Sequence, residues 1–433
     1  VTDVGAGQPA EALREALQEA LRPVLGEVSV TDLVRLSGGA SRETWAFDAR
    51  ADSGAPARLV LRRDPPGRPS APGAMGREAQ ALTLARDAGL AVPEVLFSSD
   101  SPEPFGTAGL VMRRVAGETI GRRILRDDQY AAARAALTGE LGRFAAWLHA
   151  LPVPDGFPVS DPLASLQVTL GEFAELGQVS EVFNLAAREL AATRPVPRGP
   201  VIVHGDLRLG NLIVAPSGLA AVIDWELVHA GNPAEDLGWL CVKAWRFGAA
   251  APAAGVGSRE ELLSAYQAAG GAAISLGELR WWEILGTLRW GVICLTQAWA
   301  HLSGAHRSVE LAAIGRRVCE QEWDLLEYLR PEAAAAAAAR RPRPAADQKP
   351  RPAPHGRPTA SELLDAVQGF LTGEVMSSTG GQVAFHARVA ANALAIVARE
   401  LELGPLPDDL ELADLVAARL AVANPRHFGD GVR

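Results

Sequence analysis

His204-Gly205-Asp206-Leu207-Arg208-Leu209-Gly210-Asn211, followed by Ile223-Asp224-Trp225, is the stretch on which the reading of this chain turns. It sets an Asp, an Asn five residues later, and a second Asp beyond a short apolar hairpin. Phosphoryl transfer from ATP needs such a trio: one carboxylate to orient or deprotonate the attacking hydroxyl, an amide and a carboxylate to hold Mg²⁺. Val201-Ile202-Val203 reads as a buried strand entering the loop. Two apolar runs, Asn211 to Val214 and Leu219 to Ile223, are joined by Ala215-Pro216-Ser217-Gly218, a hairpin signal. Such a hairpin brings Asn211 and Asp224 to the same end, where both can reach one cation.

The HGDxxxxN…IDW pattern resembles the catalytic core of the aminoglycoside phosphotransferase and choline kinase superfamily, small-molecule relatives of the protein kinases. The resemblance implies that Asp206 is the catalytic base, that Asn211 and Asp224 are the Mg²⁺ ligands, and that His204 orders the loop. It implies ATP and Mg²⁺ as cofactors. In Glu235-Asp236-Leu237-Gly238-Trp239 it makes Asp236 the anchor of the loop backbone, a structural role. The fold it implies is α+β and protein-kinase-like, with a small β-rich N-lobe and a large, mainly helical C-lobe. The likeness spans about residues 25–330.

Length and composition allow this. At 433 residues, 48% hydrophobic and 21% charged, the chain is an ordinary globular protein of two or three domains. A net charge of −9 with no basic stripe argues against a nucleic-acid partner. Cys241, Cys294 and Cys319 are odd in number, far apart and lack metal-ligand spacing, so they read as buried thiols of a reducing compartment. The N-terminus carries no basic segment followed by an apolar core, and the best membrane candidate, Ile284 to Ala300, is interrupted by Arg289. A cytoplasmic protein with no membrane association is expected.

Along the chain, residues 10–25 read as an amphipathic helix. Strands are expected at Val30–Leu36, Glu43–Ala49, Arg58–Arg63, Val92–Ser98 and Gly109–Val115, with a helix at Met75–Ala88. Helices dominate from about Asp127. The expected domains are a nucleotide-binding lobe with its leading helix (1–115), a helical catalytic and substrate lobe (116–330), an exposed Ala/Pro/Arg linker (331–357) and a C-terminal three-helix domain (358–433). Thr359-Ala360-Ser361-Glu362 is a capping-box pattern, and Phe385, Val389, Ala393 and Ile396 recur at helical spacing. The tail resembles a helical domain of unknown function that accompanies some phosphotransferases. It reads as a tethered unit suited to homo-oligomerisation or to docking a protein partner.

At the nucleotide end, the kinase pattern places a cation on the strand Arg58-Leu59-Val60-Leu61-Arg62-Arg63, where a lysine is usual. Strand parity puts Val60 and Arg62 on one face, Val60 over the adenine and Arg62 toward the phosphates. Glu78, on the next helix, is the natural ion-pair partner of Arg62. The turn Ser37-Gly38-Gly39-Ala40-Ser41 could cover the phosphates with backbone N–H groups, through Gly38, Gly39 and Ser41. Met112 and Arg113 fall where an interlobe hinge would meet the adenine edge with its backbone.

The acceptor side is less legible. Glu283, Arg289 and Trp290 are the candidate substrate residues, in a helix rich in tryptophan. Between Cys241 and Ala300 the acids and bases nearly balance, whereas a polycationic aminoglycoside favours a strongly acidic pocket. The Ser37–Ser41 turn, Leu59 to Gly67 and the HGD loop together look like the kinase module fused to certain acyl-CoA dehydrogenases, whose members phosphorylate hydroxyacyl groups. The sequence therefore points to an ATP-dependent phosphotransferase acting on a hydroxyl of a small molecule, the acceptor being a hydroxyacyl-CoA or another alcohol. The competing reading is a nucleotide-binding pseudokinase, or scaffold, presenting its C-terminal helices to a partner. The intact Asp206, Asn211 and Asp224 argue against it.

Overall fold

Alternating apolar residues in the N-terminal segment build an antiparallel sheet in the computed structural model, which describes residues 10–36, 42–51, 56–67, 71–176, 180–341 and 358–428. The Ser37–Ser41 turn, and with it Gly38, Gly39 and Ser41, lies outside the described residues. Helix α1 (Ala10–Leu25) leads into β1 (Val28–Arg35), β2 (Glu43–Ala51) and β3 (Ala57–Arg63). Then come α2 (Ala74–Asp87), β4 (Val95–Ser99) and β5 (Gly109–Arg113). The sheet order is β1-β2-β3-β5-β4. Leu13, Leu17 and Leu21 of α1 cluster with Phe47, Leu59, Leu61 and Val111 on one face. Val60 stands directly opposite Met112, and Arg62 opposite Leu110, so this second set shares the other face.

The chain continues through α3 (Gly121–Arg126), α4 (Ala131–His149), α5 (Pro162–Glu175) and α6 (Glu181–Ala192). Two small ribbons follow. β6 (Val201–Val203) pairs with β9 (His229–Gly231), and β7 (Leu212–Ala215) pairs with β8 (Gly218–Val222). The turn between β7 and β8 is the one read from Pro216-Ser217, and the Leu219 amide donates to Glu140 of α4 at 2.7 Å. The remaining helices are α7 (Ala234–Cys241), α8 (Arg259–Ala268), α9 (Leu276–Leu302), α10 (Val309–Gly315), α11 (Val318–Leu329) and α12 (Pro331–Arg340). After the undescribed residues come α13 (Ala360–Phe370), the single turn α14 (Met376–Ser378), α15 (Gly381–Leu403) and α16 (Leu412–Ala423).

The chain divides into two compact units: Val1–Ser160 with Pro195–Glu283, and Asp161–Arg194 with Ile284–Arg433. One expectation along the chain is corrected. The exposed linker was read from residue 331, but Pro331–Arg340 is a helix with Ala334 and Ala337 buried. Pro331 at its first turn suits a helix start, and alanine is the best helix former. The tail was expected as a tethered unit. It clusters with α5, α6, α10, α11 and α12 in the second unit, where α16 packs on α11 and α12. The capping box expected at Thr359 is formed, Glu362 N donating to Thr359 Oγ1 and Thr359 N to Glu362 Oε2. The helical stripe through Phe385 is less buried than its spacing suggests. On α15 it is Ala387 and Ala391 that are buried, while Phe385 is exposed.

Candidate active site

The first unit carries the HGD loop. Leaving β6, the His204 and Gly205 amides donate to the two oxygens of Asp236 at 2.9 and 3.0 Å. Asp236 is fully buried at the start of α7. Burial alone would raise its carboxyl, but the hydrogen bond from His149, the neighbouring His204 and the His204 amide outweigh it and hold it below the ordinary value. His149 is itself braced by Tyr266, its Nδ1 3.0 Å from the phenol oxygen. Gly205 sits at φ +80, and a Cβ there would lie 2.5 Å from the Leu227 carbonyl oxygen, so the loop closes only with glycine. The His204 ring is buried edge-on to Trp225. Its Nδ1 accepts the Asp206 amide (3.1 Å), so Nε2 carries the proton and donates it to the Ile223 carbonyl (3.1 Å). That tautomer ties the loop to the segment carrying Asp224.

Asp206 is held by three donors. Trp239 Nε1 reaches Oδ1 at 2.7 Å, Arg208 Nε reaches both oxygens at 3.0 Å, and Asn211 Nδ2 reaches Oδ2 at 2.6 Å. Arg208 in turn lies over the Trp245 ring, 4.8 Å from its centre. The hairpin does bring Asn211 and Asp224 to one end: the Asn211 carbonyl accepts the Ile223 amide at 2.9 Å. Asp224 adopts a left-handed backbone (φ +69), a conformation Asp tolerates better than most residues.

Arg62 and Glu78 meet beside Asp224. Arg62 donates through Nη1 to Glu78 Oε1 and through Nη2 to Asp224 Oδ1, both at 2.5 Å, so the expected Arg62–Glu78 pair is present. Burial pushes the Arg62 guanidinium down, but Glu78, Asp224 and Glu226 outweigh it and raise it above the ordinary arginine value. The same pairing works in reverse on Asp224. Burial lifts its carboxyl, and Arg62, then Arg208 and His204, bring it below the usual carboxylate range.

Two of the expected site positions are engaged by other parts of the chain. The Arg113 amide donates to the Glu94 carbonyl (2.8 Å) and the Arg114 amide to the Arg58 carbonyl (2.9 Å). These two amides are thus engaged within the first unit, and the Arg113 side chain turns to Glu94 at 2.5 Å. Glu283 has structural partners. It is fully buried, its two oxygens taken by Arg246 (2.7 Å) and Arg259 (2.7 Å). Replacing it with alanine would strip both arginines of that partner. Glu283→Ala should lower stability by about 3 kcal/mol, the lower end for a broken buried pair because the arginines keep some solvent access. A calorimetric melt tests this, and an unchanged Tm would return Glu283 to the substrate candidates. Arg289 and Trp290 belong to the second unit, where the Arg317 guanidinium lies 5.6 Å from the Trp290 ring centre. Among the residues the sequence reading passed over, Arg42, Arg208, Trp239 and Glu226 all border the site.

Comparison with known proteins agrees with this architecture. Solved structures superimpose on the chain with a kinase-like fold. One is a protein of Ralstonia eutropha assigned as an aminoglycoside phosphotransferase, at a TM-score of 0.53 and 20% identity over 73% of this chain and 98% of that one. Another is a choline/ethanolamine kinase family protein from Mesorhizobium loti, at 0.50 and 22% identity over 73% and 95%. At these identities the likeness establishes the fold: α+β and protein-kinase-like, followed by C-terminal helices. The model of the phosphotransferase enzyme family matches residues 32–282, more than half of the chain, and the chain belongs to that family. Residues 377–418 match a domain of unknown function. Among curated proteins, the chain is 28% identical over 244 residues to mouse acyl-CoA dehydrogenase family member 10, covering 53% of this chain and 22% of the relative. It is 31% identical over 199 residues to rat family member 11, covering 42% and 24%. The matched region is thus about a quarter of the length of those relatives.

Proposed function

We propose that this protein transfers the γ-phosphoryl group of ATP to a hydroxyl of a small molecule. The observation that carries the reading is the setting of Asp206: a carboxylate aimed by an indole, a guanidinium and an amide, in one loop with Asn211 and beside the segment bearing Asp224. In this reading Asp206 accepts the proton of the attacking hydroxyl, and its donors fix the direction from which it does so. Asn211 and Asp224 would hold Mg²⁺. Hard oxygen donors and a carboxylate kept ionised suit that ion. Among the described residues no group of three or more His, Cys, Asp or Glu could hold a metal. Two protein ligands, with phosphate and water completing the shell, is the usual habit of Mg²⁺ with nucleotides. Arg62 is the cation nearest these ligands and would meet the phosphates. When bound, Mg·ATP supplies the phosphoryl group. The protein's own share is orientation and charge placement.

The acceptor we favour is a hydroxyacyl compound, because the curated relatives are acyl-CoA dehydrogenase family members and the stretch from Cys241 to Ala300 lacks the acidic surplus an aminoglycoside would favour. Screening hydroxyacyl-CoAs, free hydroxy acids and kanamycin-like sugars for acceptor-dependent ADP release tests both parts. A scaffold would release none with any acceptor. A cytoplasmic location is supported by three buried free thiols, each pushed up to about 12 chiefly by burial, and by the absence among the described residues of a helix able to cross a membrane. Exposed Leu363, Val367 and Phe370 on α13 are where a second copy or a protein partner would dock.

The metal assignment has its own test. Asp224→Ala should abolish the Mg²⁺-dependent part of nucleotide binding, leaving ATP to bind as weakly with Mg²⁺ as without it. Calorimetry with and without the ion measures this. Unchanged Mg·ATP affinity would remove Asp224 from the metal site.

A further inference from the structure

Arg42 immediately precedes β2, and its side chain is 4% exposed. It faces carboxylates from three other parts of the first unit. Its Nη1 bonds Glu78 Oε2 of α2, and its Nε lies 3.4 Å from Asp64 Oδ1 and 3.6 Å from Glu226 Oε2. Glu78, fully buried, therefore gives one oxygen to each of two arginines, Oε2 to Arg42 and Oε1 to Arg62. An arginine alone with a buried carboxylate takes it with a two-pronged fork. Here Arg42 already holds the second oxygen, so Arg62 bonds Glu78 through Nη1 alone, and its Nη2 reaches Asp224 at 2.5 Å.

We propose that Arg42 is a positioning residue of the nucleotide site: by occupying one oxygen of Glu78 it prevents Arg62 from closing on Glu78 as a fork, and keeps one arm of Arg62 directed at Asp224 and the nucleotide phosphates. The inference rests on the phosphotransferase reading above and deepens it. The charges around the pair agree. Two guanidiniums, Arg42 and Arg62, are within 4 Å of four carboxylates, Asp64, Glu78, Asp224 and Glu226. Without Arg42, Arg62 would be drawn to the most deeply buried carboxylate, Glu78, where desolvation makes an unpaired charge most costly.

A double-mutant cycle on the full chain tests this, with Mg·ATP and adenosine affinities read by calorimetry and folding by thermal melts. Arg42→Ala should weaken Mg·ATP about tenfold or more, the scale of one charge-assisted contact, with adenosine affinity within about twofold. Arg42→Lys should lie between, since an ammonium can bond Glu78 but cannot also reach Asp64 and Glu226. In an Arg62→Ala background, either Arg42 substitution should cost Mg·ATP binding almost nothing further, because Arg42 acts through Arg62. If Arg42→Ala does not fold, the cycle run with Arg42→Lys decides by the same criterion. Losses that add in the double mutant, or that fall equally on adenosine, would overturn the inference and make Arg42 purely structural. Wild-type protein that binds neither Mg·ATP nor Mg·GTP would overturn the phosphotransferase reading itself, and the inference with it.

Discussion

Asp206→Asn should reduce acceptor-dependent turnover about 10²–10⁴-fold, the usual loss when general-base help is removed, with Mg·ATP affinity held within about threefold. The amide keeps the shape of the carboxylate but cannot take the hydroxyl proton. The surroundings add a second effect. Trp239 Nε1, Arg208 Nε and Asn211 Nδ2 all donate to this side chain, and an amide has one oxygen where the carboxylate has two. Its nitrogen must face one of these donors, so that donor loses its partner and Tm should fall by a few degrees. Steady-state kinetics beside a thermal melt separates the two effects. Activity within threefold of wild type would exclude Asp206 as the base whatever happens to Tm. The control is Trp239→Phe, which removes one donor and leaves the base intact. It should lower turnover by about 10- to 100-fold, because one hydrogen bond to a charged group is worth about 1.5–3 kcal/mol.

The geometry of the candidate catalytic stretch was legible because its contacts are local. His204, Asp206 and Asn211 lie within one loop, and a two-residue turn returns the chain to Asp224. Strand parity was enough to place Arg62 opposite the core face, and Glu78 on the next helix was the ion-pair partner expected for it. Residues whose partners arrive from distant segments were not legible. Arg42 meets Glu78 across 36 positions, and Trp239 meets Asp206 across 33. No periodicity marks either. The partners of Glu283 were hidden for the same reason. A lone acid among tryptophans looks like a pocket residue until Arg246 and Arg259, 37 and 24 positions earlier, close on it. The alanine run misled through composition. Alanine beside proline and arginine resembles a tether, yet small side chains on a good helix former are what a neighbouring helix can pack against closely. Ala334 and Ala337 are buried accordingly.

Ending the chain after Arg341 should therefore not give a free-standing phosphotransferase with an intact second unit, contrary to the expectation of a tethered tail. Val416, Ala417, Ala418 and Leu420 of α16 are essentially inaccessible, as are Trp323, Leu325 and Leu326 of α11, against which α16 packs. Burial of each large apolar side chain contributes about 1.5–3 kcal/mol, so stripping α16 forfeits a sizeable part of the 5–15 kcal/mol that holds a domain together. Polar contacts are lost as well. His427 Nε2 lies 2.7 Å from Asp324 Oδ1, and Asn424 Nδ2 donates to Glu320 Oε1 at 3.1 Å. Phe428 stacks edge-on to Trp323 with ring centres 4.9 Å apart and receives the Arg341 guanidinium at 4.7 Å. Asp324, 1% exposed, would lose the imidazole facing it, a cost an apolar contact alone does not carry. The truncated chain should aggregate on size exclusion or bind a hydrophobic dye strongly, with a thermal transition lowered by about 10 °C or more given the few degrees each kcal/mol is worth. A milder variant separates packing from chain length. Leu420→Ala in the full chain should cost about 2–5 kcal/mol while leaving every residue of the proposed catalytic loop untouched. A soluble, monodisperse truncation with the wild-type Tm would mean that the tail adds nothing to the second unit, and that α11 and α12 are complete without it.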